Sequence, residues 1–203
     1  EPNKMHKNDN SKEGTCHVIF DFDHTMIDCN SDTYIFDNLS PDLVPVMKEA
    51  MTTTHPQWTQ LMQHMINLLL TRVSIKELES CLETCPLTTD MQTVLQSLHA
   101  NRHTVTIASD ANTFFIETIL KKYNMLQYVN EIYSNYCTGD RENNSVTLVQ
   151  FCEYINKPHS CDVCPINMCK GEILQRLFSQ SVTQISSQKK HYDRIVYVGD
   201  GTN

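Results

Sequence analysis

Three segments of the sequence carry polar side chains at the end of a short apolar run. They are Asp21-Phe22-Asp23-His24-Thr25 at the end of run 16–22, Ser109-Asp110 after run 104–108, and Gly199-Asp200-Gly201 after run 194–198. Runs this short predict buried strands of a parallel sheet, whose carboxyl ends meet at one edge. Carboxylates brought together repel one another unless a cation lies among them, and Mg²⁺ prefers oxygen ligands. We therefore expect a magnesium site at this edge, among Asp21, Asp23, Asp110 and Asp200.

The Asp21-x-Asp23 pair is compatible with two kinds of chemistry. It could begin a calcium-binding EF-hand loop, but that loop requires Gly at its sixth position, where Met26 stands, and a flanking helix rather than a strand. Alternatively, Asp21 could attack phosphorus and form an acyl phosphate. Asp23 would then protonate the leaving oxygen and later activate water. The residue at the sixth position favours the second interpretation.

Taken in order, these motifs resemble those of the haloacid dehalogenase-like phosphatases. The matching residues are Asp21-x-Asp23-x-Thr25, Ser109, Lys170 and Gly199-Asp200-Gly201-x-Asn203. Finer matches resemble the phosphoethanolamine/phosphocholine phosphatase family, at Asn30-Ser31-Asp32, Ser109-Asp110-Ala111-Asn112-Thr113 and residues 161–170. That family includes pyridoxal-phosphate phosphatase-like members and plant relatives named as pyrophosphatases or thiamine-phosphate phosphatases. The resemblance extends from about Val18 to the last residue.

The resemblance implies a role for each residue that matches a motif. Asp21 matches the nucleophile, and Asp23 matches the general acid/base that also binds Mg²⁺ through its backbone carbonyl. Ser109 matches a residue that hydrogen-bonds the phosphoryl group, and Lys170 one that pairs with the nucleophile and the phosphate. Asp200 matches a direct Mg²⁺ ligand. The implied enzyme is a Mg²⁺-dependent phosphatase with an aspartyl-phosphate intermediate.

Two further carboxylates bear on the choice of substrate. Asp32 and Asp110 match family positions that contact the substrate, although each could instead be a helix cap or turn residue. Two carboxylates at an anionic site would repel pyrophosphate and attract a cationic amine. Tyr34 or Trp58 could face a quaternary ammonium through a cation–π contact. The expected substrates are phosphoethanolamine and phosphocholine, and the alternatives are pyridoxal phosphate, pyrophosphate and thiamine phosphate.

A cluster of soft metal ligands precedes Lys170 in the sequence. It consists of His159, Cys161, Cys164 and Cys169, a Cys-x-x-Cys pair with a third Cys and a His nearby. These side chains could form a tetrahedral zinc site that fixes the loop before the lysine, or they could be free or oxidisable thiols. The chain has nine cysteines and shows no signal peptide, so we expect a reducing, cytoplasmic compartment.

The elements that must position these residues alternate between strands and helices. This alternation predicts an α/β fold: a Rossmann-like parallel sheet with helices on both faces. Residues 131–134 and 145–150 predict two further strands, the second of them part of a hairpin that turns within residues 139–144. Ser74 and Glu77 predict a capping box at the start of a helix, and the polar residues 179–190 predict a loop.

A block of helical patterning over residues 32–86 predicts an inserted cap that closes over the site. Residues 16–31 and 87–203 would form the phosphatase core, and residues 1–15 a disordered tail. The family's last motif usually continues with an Asp just beyond Asn203, so we expect a C-terminally truncated core.

Composition excludes several other classes of protein. The chain carries 16 Lys+Arg against 24 Asp+Glu, a formal charge of −8, which argues against a nucleic-acid partner. No apolar run reaches the ~18 residues that a membrane span requires. A small phosphorylated metabolite is the expected partner, and the sequence does not indicate an oligomeric state. An inactive fragment that serves as a binding protein, a phosphomutase and a dehalogenase remain alternatives, although Asp23 disfavours a dehalogenase, which has no leaving alcohol to protonate.

Overall fold

A computed structural model describes residues 14–54, 56–182 and 192–201, and for residues 180–182 only the backbone. Its strands are β1 (Cys16–Phe20), β2 (Thr104–Asn112), β3 (Glu131–Asp140), β4 (Ser145–Val149) and β5 (Arg194–Val198). They form one sheet in the order β4-β3-β2-β1-β5. All neighbouring pairs are parallel except β3 and β4, which form the antiparallel hairpin that the sequence predicts. The tail predicted for residues 1–15 lies outside the described residues, apart from Gly14 and Thr15.

Eight α-helices accompany the sheet in the described part of the chain. They are α1 (Ser31–Leu39), α2 (Leu43–Thr53), α3 (Trp58–Leu70), α4 (Ile75–Leu82), α5 (Thr89–Ala100), α6 (Thr113–Lys122), α7 (Phe151–Tyr154) and α8 (Lys170–Val182). Polar caps define where several of them begin. Ser74 and Glu77 form the predicted capping box of α4, and the Asn112 side chain accepts the Phe115 amide at the start of α6.

Several boundaries differ from those that the sequence predicts, among them the end of β3, which is predicted at residue 134 and lies at Asp140. β1 ends at Phe20, because the chain turns directly after Asp21 and the Met26 amide donates to the Phe22 carbonyl over 2.8 Å. β2 continues past residue 108 to Asn112, with a shift of register against β3. α8 continues through residues 179–182, which the sequence predicts as loop, and the rest of that predicted loop, residues 183–190, lies outside the described residues.

Hydrophobic side chains pack on both faces of the sheet. β1 alternates between the faces, since Val18 and Phe20 belong to one cluster and Ile19 to the other. The larger cluster includes side chains from α1 to α6, and the smaller one side chains from α7 and α8. Helices on both faces of a mainly parallel sheet confirm the predicted α/β class. Among the described residues, none of the helices has the length and apolar character of a transmembrane span.

Candidate active site

A cavity of about 510 Å³ opens where the ends of β1, β2 and β5 meet the start of α8. It contains all seven residues that the resemblance implies for catalysis, phosphate binding, substrate binding and magnesium: Asp21, Asp23, Asp32, Ser109, Asp110, Lys170 and Asp200. The start of α3 also contributes to its wall, through Trp58 and Thr59 and the two residues before them, Pro56 and Gln57. The cavity is therefore shared between the edge of the sheet and the helical block that precedes α5.

Asp21 is held by an ion pair at the bottom of this cavity. The Lys170 ammonium donates to its Oδ2 over 2.5 Å, and both side chains are largely buried, at 5% exposure for Asp21 and 13% for Lys170. The backbone amide of Phe22 donates to the other oxygen, Oδ1, over 2.7 Å. The Asp21 amide still pairs with the Val198 carbonyl of β5, so the sheet fixes its backbone. A carboxylate fixed in this way is oriented as a nucleophile requires.

Asp23 has a different environment, although it lies only two residues further along. Burial raises the pKa of its carboxyl to about 6, while a hydrogen bond from the Ser31 amide to Oδ1, 2.9 Å long, favours the charged form. A carboxyl group with a pKa this close to neutral can both donate and accept a proton near pH 7. His24, which also lines the cavity, adopts a left-handed backbone conformation with φ of 54°, and this lets the chain fold back toward Cys29.

Asp32 and Asp110 lie on the side of the cavity that faces α3. The indole nitrogen of Trp58 donates to Asp32 Oδ2 over 2.7 Å, and burial, reinforced by the charge of Asp23, raises the pKa of Asp32 to about 7. Burial also raises the pKa of Asp110, against the opposing charge of Lys170. The helix-cap alternative for Asp32 is wrong, because Asn30 is the residue that caps α1.

One of the two aromatic side chains considered for cation recognition lies away from the cavity. Tyr34 donates its hydroxyl to the Thr84 carbonyl over 3.2 Å and is not among the residues that line the cavity. Trp58 does line it, but its N–H group is directed at Asp32. The aromatic contribution to this wall of the cavity therefore comes from Trp58.

Two asparagines, Asn135 and Asn167, support the site, and Asn135 is not identified from the sequence. Asn135 on β3 donates to the carbonyls of Asp110 and Ala111, over 2.6 and 3.0 Å. The side-chain oxygen of Asn135, Oδ1, accepts a hydrogen bond from the Phe151 amide. The same amide also donates to Oδ1 of Asn167. Asn is rare in strands, so an Asn directly after the strand predicted over residues 131–134 was the available signal. These contacts hold the irregular part of β2 that carries Ser109.

The donor atoms around the cavity fit a magnesium ion. Asp21, Asp23 and Asp200 are brought to one cavity from the ends of β1 and β5, and all of them offer oxygen. Mg²⁺ takes oxygen ligands, usually one or two carboxylates together with water and phosphate. An ion here would also offset the repulsion between the carboxylates.

The soft-ligand cluster lies outside the cavity, and the structure brings together three of its four members. The Sγ atoms of Cys161, Cys164 and Cys169 lie within 4.8 Å of one another. His159 does not join them: its Nε2 pairs with the Pro165 carbonyl over 2.7 Å and its Nδ1 accepts the Cys161 amide.

The fold of this chain is similar to that of solved phosphatase structures. A probable phosphoserine phosphatase from Vibrio cholerae aligns with a TM-score of 0.60 and 20% identity, over 93% of this chain and 51% of that one. A substrate-bound phosphoserine phosphatase aligns with a TM-score of 0.57 and 16% identity, over 94% and 79%. Similarity at this level of identity establishes the fold.

The chain belongs to the family described as "Putative Phosphatase", whose model matches residues 16–203. Two relatives are from Arabidopsis thaliana. The thiamine phosphate phosphatase-like protein is 31% identical over 91% of this chain and 71% of its own length, and inorganic pyrophosphatase 1 is 34% identical over 89% and 59%. The pyridoxal phosphate phosphatase PHOSPHO2 of Bos taurus is 30% identical over 92% and 74%. The chain thus spans roughly three fifths to three quarters of the length of these relatives.

Proposed function

We propose that this protein is a Mg²⁺-dependent phosphatase that hydrolyses small phosphomonoesters through an aspartyl-phosphate at Asp21. The buried pairing of Asp21 with Lys170, beside a second carboxyl whose pKa lies near neutral, carries this proposal. The three groups meet the needs of a two-step phosphoryl transfer, which are a fixed nucleophile, a positive charge beside it and a proton donor and acceptor.

In the first step an oxygen of Asp21 attacks phosphorus, and the bond between phosphorus and the ester oxygen breaks. Asp23 gives its proton to the departing oxygen, which leaves as an alcohol. In the second step Asp23, now a carboxylate, takes a proton from water as the water oxygen attacks the acyl phosphate. The bond between phosphorus and Asp21 breaks, inorganic phosphate is formed, and both carboxyl groups return to their initial state.

The remaining residues of the cavity hold the phosphoryl group in place. Lys170 offers a cation to its oxygens, and Ser109, which is buried at the end of the cavity, offers a hydroxyl. Asp21, Asp200 and the Asp23 carbonyl would hold the Mg²⁺ ion, which would supply further positive charge against the phosphoryl oxygens. Residues 32–86 act as a cap in this proposal, since Trp58 and its neighbours on α3 form the wall opposite the strand ends.

Phosphoethanolamine and phosphocholine are the substrates that the cavity suits best. Asp32 and Asp110 place two carboxyl groups beside the phosphate position, where a positively charged amine would offset their charge. The names of the relatives suggest thiamine phosphate, pyridoxal phosphate and pyrophosphate as alternatives. Thiamine phosphate also carries a cationic ring, whereas pyrophosphate would add negative charge. The nine cysteines, none of them in a disulfide in the described residues, support a cytoplasmic location.

Substitution of the nucleophile tests the proposal. We expect Asp21→Asn to lower turnover of phosphoethanolamine and of an aryl phosphate by at least about 10³-fold. Asp28→Asn is the matched control, because Asp28 belongs to the same loop but is exposed and does not line the cavity. Turnover should also require Mg²⁺ and stop after chelation.

A trapping experiment distinguishes the mechanism from simple loss of the site. Acid quenching during turnover should leave a phosphoryl group on wild-type protein, and mass spectrometry should place it on Asp21. Near-native turnover of Asp21→Asn would contradict the mechanism. A wild-type chain that binds phosphate esters and hydrolyses none of them would favour the alternative of a binding protein.

A further inference from the structure

Three thiols converge on the loop that precedes α8, outside the proposed catalytic cavity. The Sγ atoms of Cys161, Cys164 and Cys169 all lie within 4.8 Å of one another. A tetrahedral zinc ion with Zn–S bonds of about 2.3 Å requires sulfur atoms about 3.8 Å apart. The three sulfurs are therefore within about an ångström of the spacing that one ion needs, a shift that side-chain rotation can supply.

Backbone amides already point at two of these sulfurs. The amides of Val163 and Cys164 hydrogen-bond to Cys161 Sγ, and the Glu172 amide in the first turn of α8 donates to Cys169 Sγ over 3.4 Å. Amide donors of this kind stabilise the thiolate, which is the form of cysteine that binds a metal. Cys161 and Cys164 are partly exposed, so an ion has a route to the cluster from solvent.

The loop around the thiols is irregular, and some of its apolar side chains are exposed to solvent. Residues 155–169 contain no helix or strand, and Val163 and Ile166 are exposed at 92% and 65%. The loop nevertheless carries Pro165 and Asn167, which line the cavity, and it ends at Cys169, the residue before Lys170. A cross-link among the three cysteines would hold both ends of the segment 161–169, as structural zinc does in domains with small cores.

We propose that Cys161, Cys164 and Cys169 bind one structural Zn²⁺ ion, which fixes the loop that presents Asn167 and Lys170 to the cavity. Binding forms three S–Zn bonds and releases the three thiol protons to solvent. His159 is not a ligand, because both of its ring nitrogens pair with the backbone of the same loop.

Zinc content measures the proposed site directly. Protein purified without chelator should contain one zinc per chain by elemental analysis and by native mass spectrometry. Serine substitution of any one of the three cysteines should weaken zinc binding by at least about 100-fold. Cys152→Ser is the matched control, since Cys152 lies nearby in α7 but outside the cluster, and it should keep full occupancy. Equal zinc content in wild type and in all three variants would overturn the proposal.

Measurements on the unsubstituted chain keep the test decisive if a serine variant fails to fold. Cobalt-loaded wild type should show thiolate-to-cobalt charge-transfer absorption, and titration with a mercurial should release the metal as three thiols react. A metal-free chain whose intact mass shows a disulfide within the cluster would overturn the proposal. These readouts need no substrate, so an inactive chain with stoichiometric zinc would contradict the proposed function while supporting the zinc site.

Discussion

Burial, rather than residue type, sets the pKa values of single carboxyl groups in the cavity. Asp23 and Asp32 have the same ordinary pKa, but burial raises the first to about 6 and the second to about 7. Asp32 accepts a hydrogen bond from the Trp58 indole N–H, yet the nearby charges of Asp23 and Asp110 oppose its ionisation. Its negative charge therefore appears only as the pH rises through about 7.

This titration predicts a pH-dependent preference for amine substrates. The KM of phosphocholine, divided by that of a neutral aryl phosphate, should fall between pH 6 and pH 8, because Asp32 gains its charge over this range. The ratio cancels the ionisation of the phosphate group itself. Asp32→Asn keeps an acceptor for Trp58 but has no charge, so the ratio at pH 8 should rise on the order of tenfold, or about 1.4 kcal/mol.

Steady-state kinetics of wild type and variant at several pH values measure the effect. Asp37→Asn, on the exposed side of the same helix, is the control and should leave the ratio unchanged. A ratio that does not vary with pH, or one that Asp32→Asn leaves unaltered, would remove Asp32 from substrate recognition without affecting the phosphatase proposal.

At the level of the elements, the sequence predicts what is determined locally. The β3–β4 hairpin, the capping box of α4 and the bounds of β5 follow from turn residues, caps and apolar runs a few positions apart. The extension of β2 to Asn112 does not follow from such local signals. The apolar pattern of that strand ends before Ser109, and what continues it is a set of contacts from β3, about 25 residues later in the chain.

The residues of the candidate site likewise include some that the sequence predicts and others that it does not. Carboxylates at strand ends can be found from the sequence, because parallel strands bring their ends to one edge. Asn135 could not be given a role from the sequence, since its amide matters only through two carbonyls of a neighbouring strand and the Phe151 amide. The sequence predicts Tyr34 as a candidate for cation binding for the same reason. What excludes it is a contact distant in the chain, the hydrogen bond from its hydroxyl to the Thr84 carbonyl.

The role of Asn135 leads to a prediction about stability and affinity. Asn135→Ala removes the Asn135 donor to the Asp110 carbonyl, whereas the Ala111 carbonyl keeps the Ser134 hydroxyl, and an unsatisfied buried group costs about 1–3 kcal/mol. We expect a loss of at least that size in the free energy of urea unfolding, together with a higher KM, because Ser109 and Asp110 lose their support. Asn38→Ala, at an exposed position in α1, should change stability by less than about 0.5 kcal/mol. Equal stability of the two variants would show that Asn135 supports nothing.

The whole chain has an excess of acidic side chains, and the cavity shares this excess. The lining residues include five carboxylates, those of Asp21, Asp23, Asp32, Asp110 and Asp200, and one lysine, Lys170. The phosphate ester adds further negative charge. A metal ion on one side of the phosphate and an amine on the other would offset this excess, so the two parts of the proposed function have a common electrostatic basis.

The distribution of the hydrophobic core predicts how the molecule unfolds. Side chains of α1–α4, such as Phe36, Met65 and Leu78, pack in the same cluster as Val18 and Phe20 of the sheet, so the helical block has no separate core among the described residues. We therefore expect a single cooperative transition in urea. Trp58, the one tryptophan of the chain, reports on the helical block by fluorescence, while far-ultraviolet circular dichroism reports on the whole molecule. The two midpoints should coincide.

A substitution on the opposite face of the sheet makes this prediction stringent. Ile173 of α8 is 3% exposed and packs in the smaller cluster with Ile19 of β1, not in the cluster that contains the helical block. Ile173→Ala should cost about 2–5 kcal/mol. If the sheet couples the two faces, the Trp58 fluorescence midpoint will fall as far as the circular dichroism midpoint does. A fluorescence midpoint that stays in place while the other falls would show that the helical block unfolds independently, as a separate cap domain would.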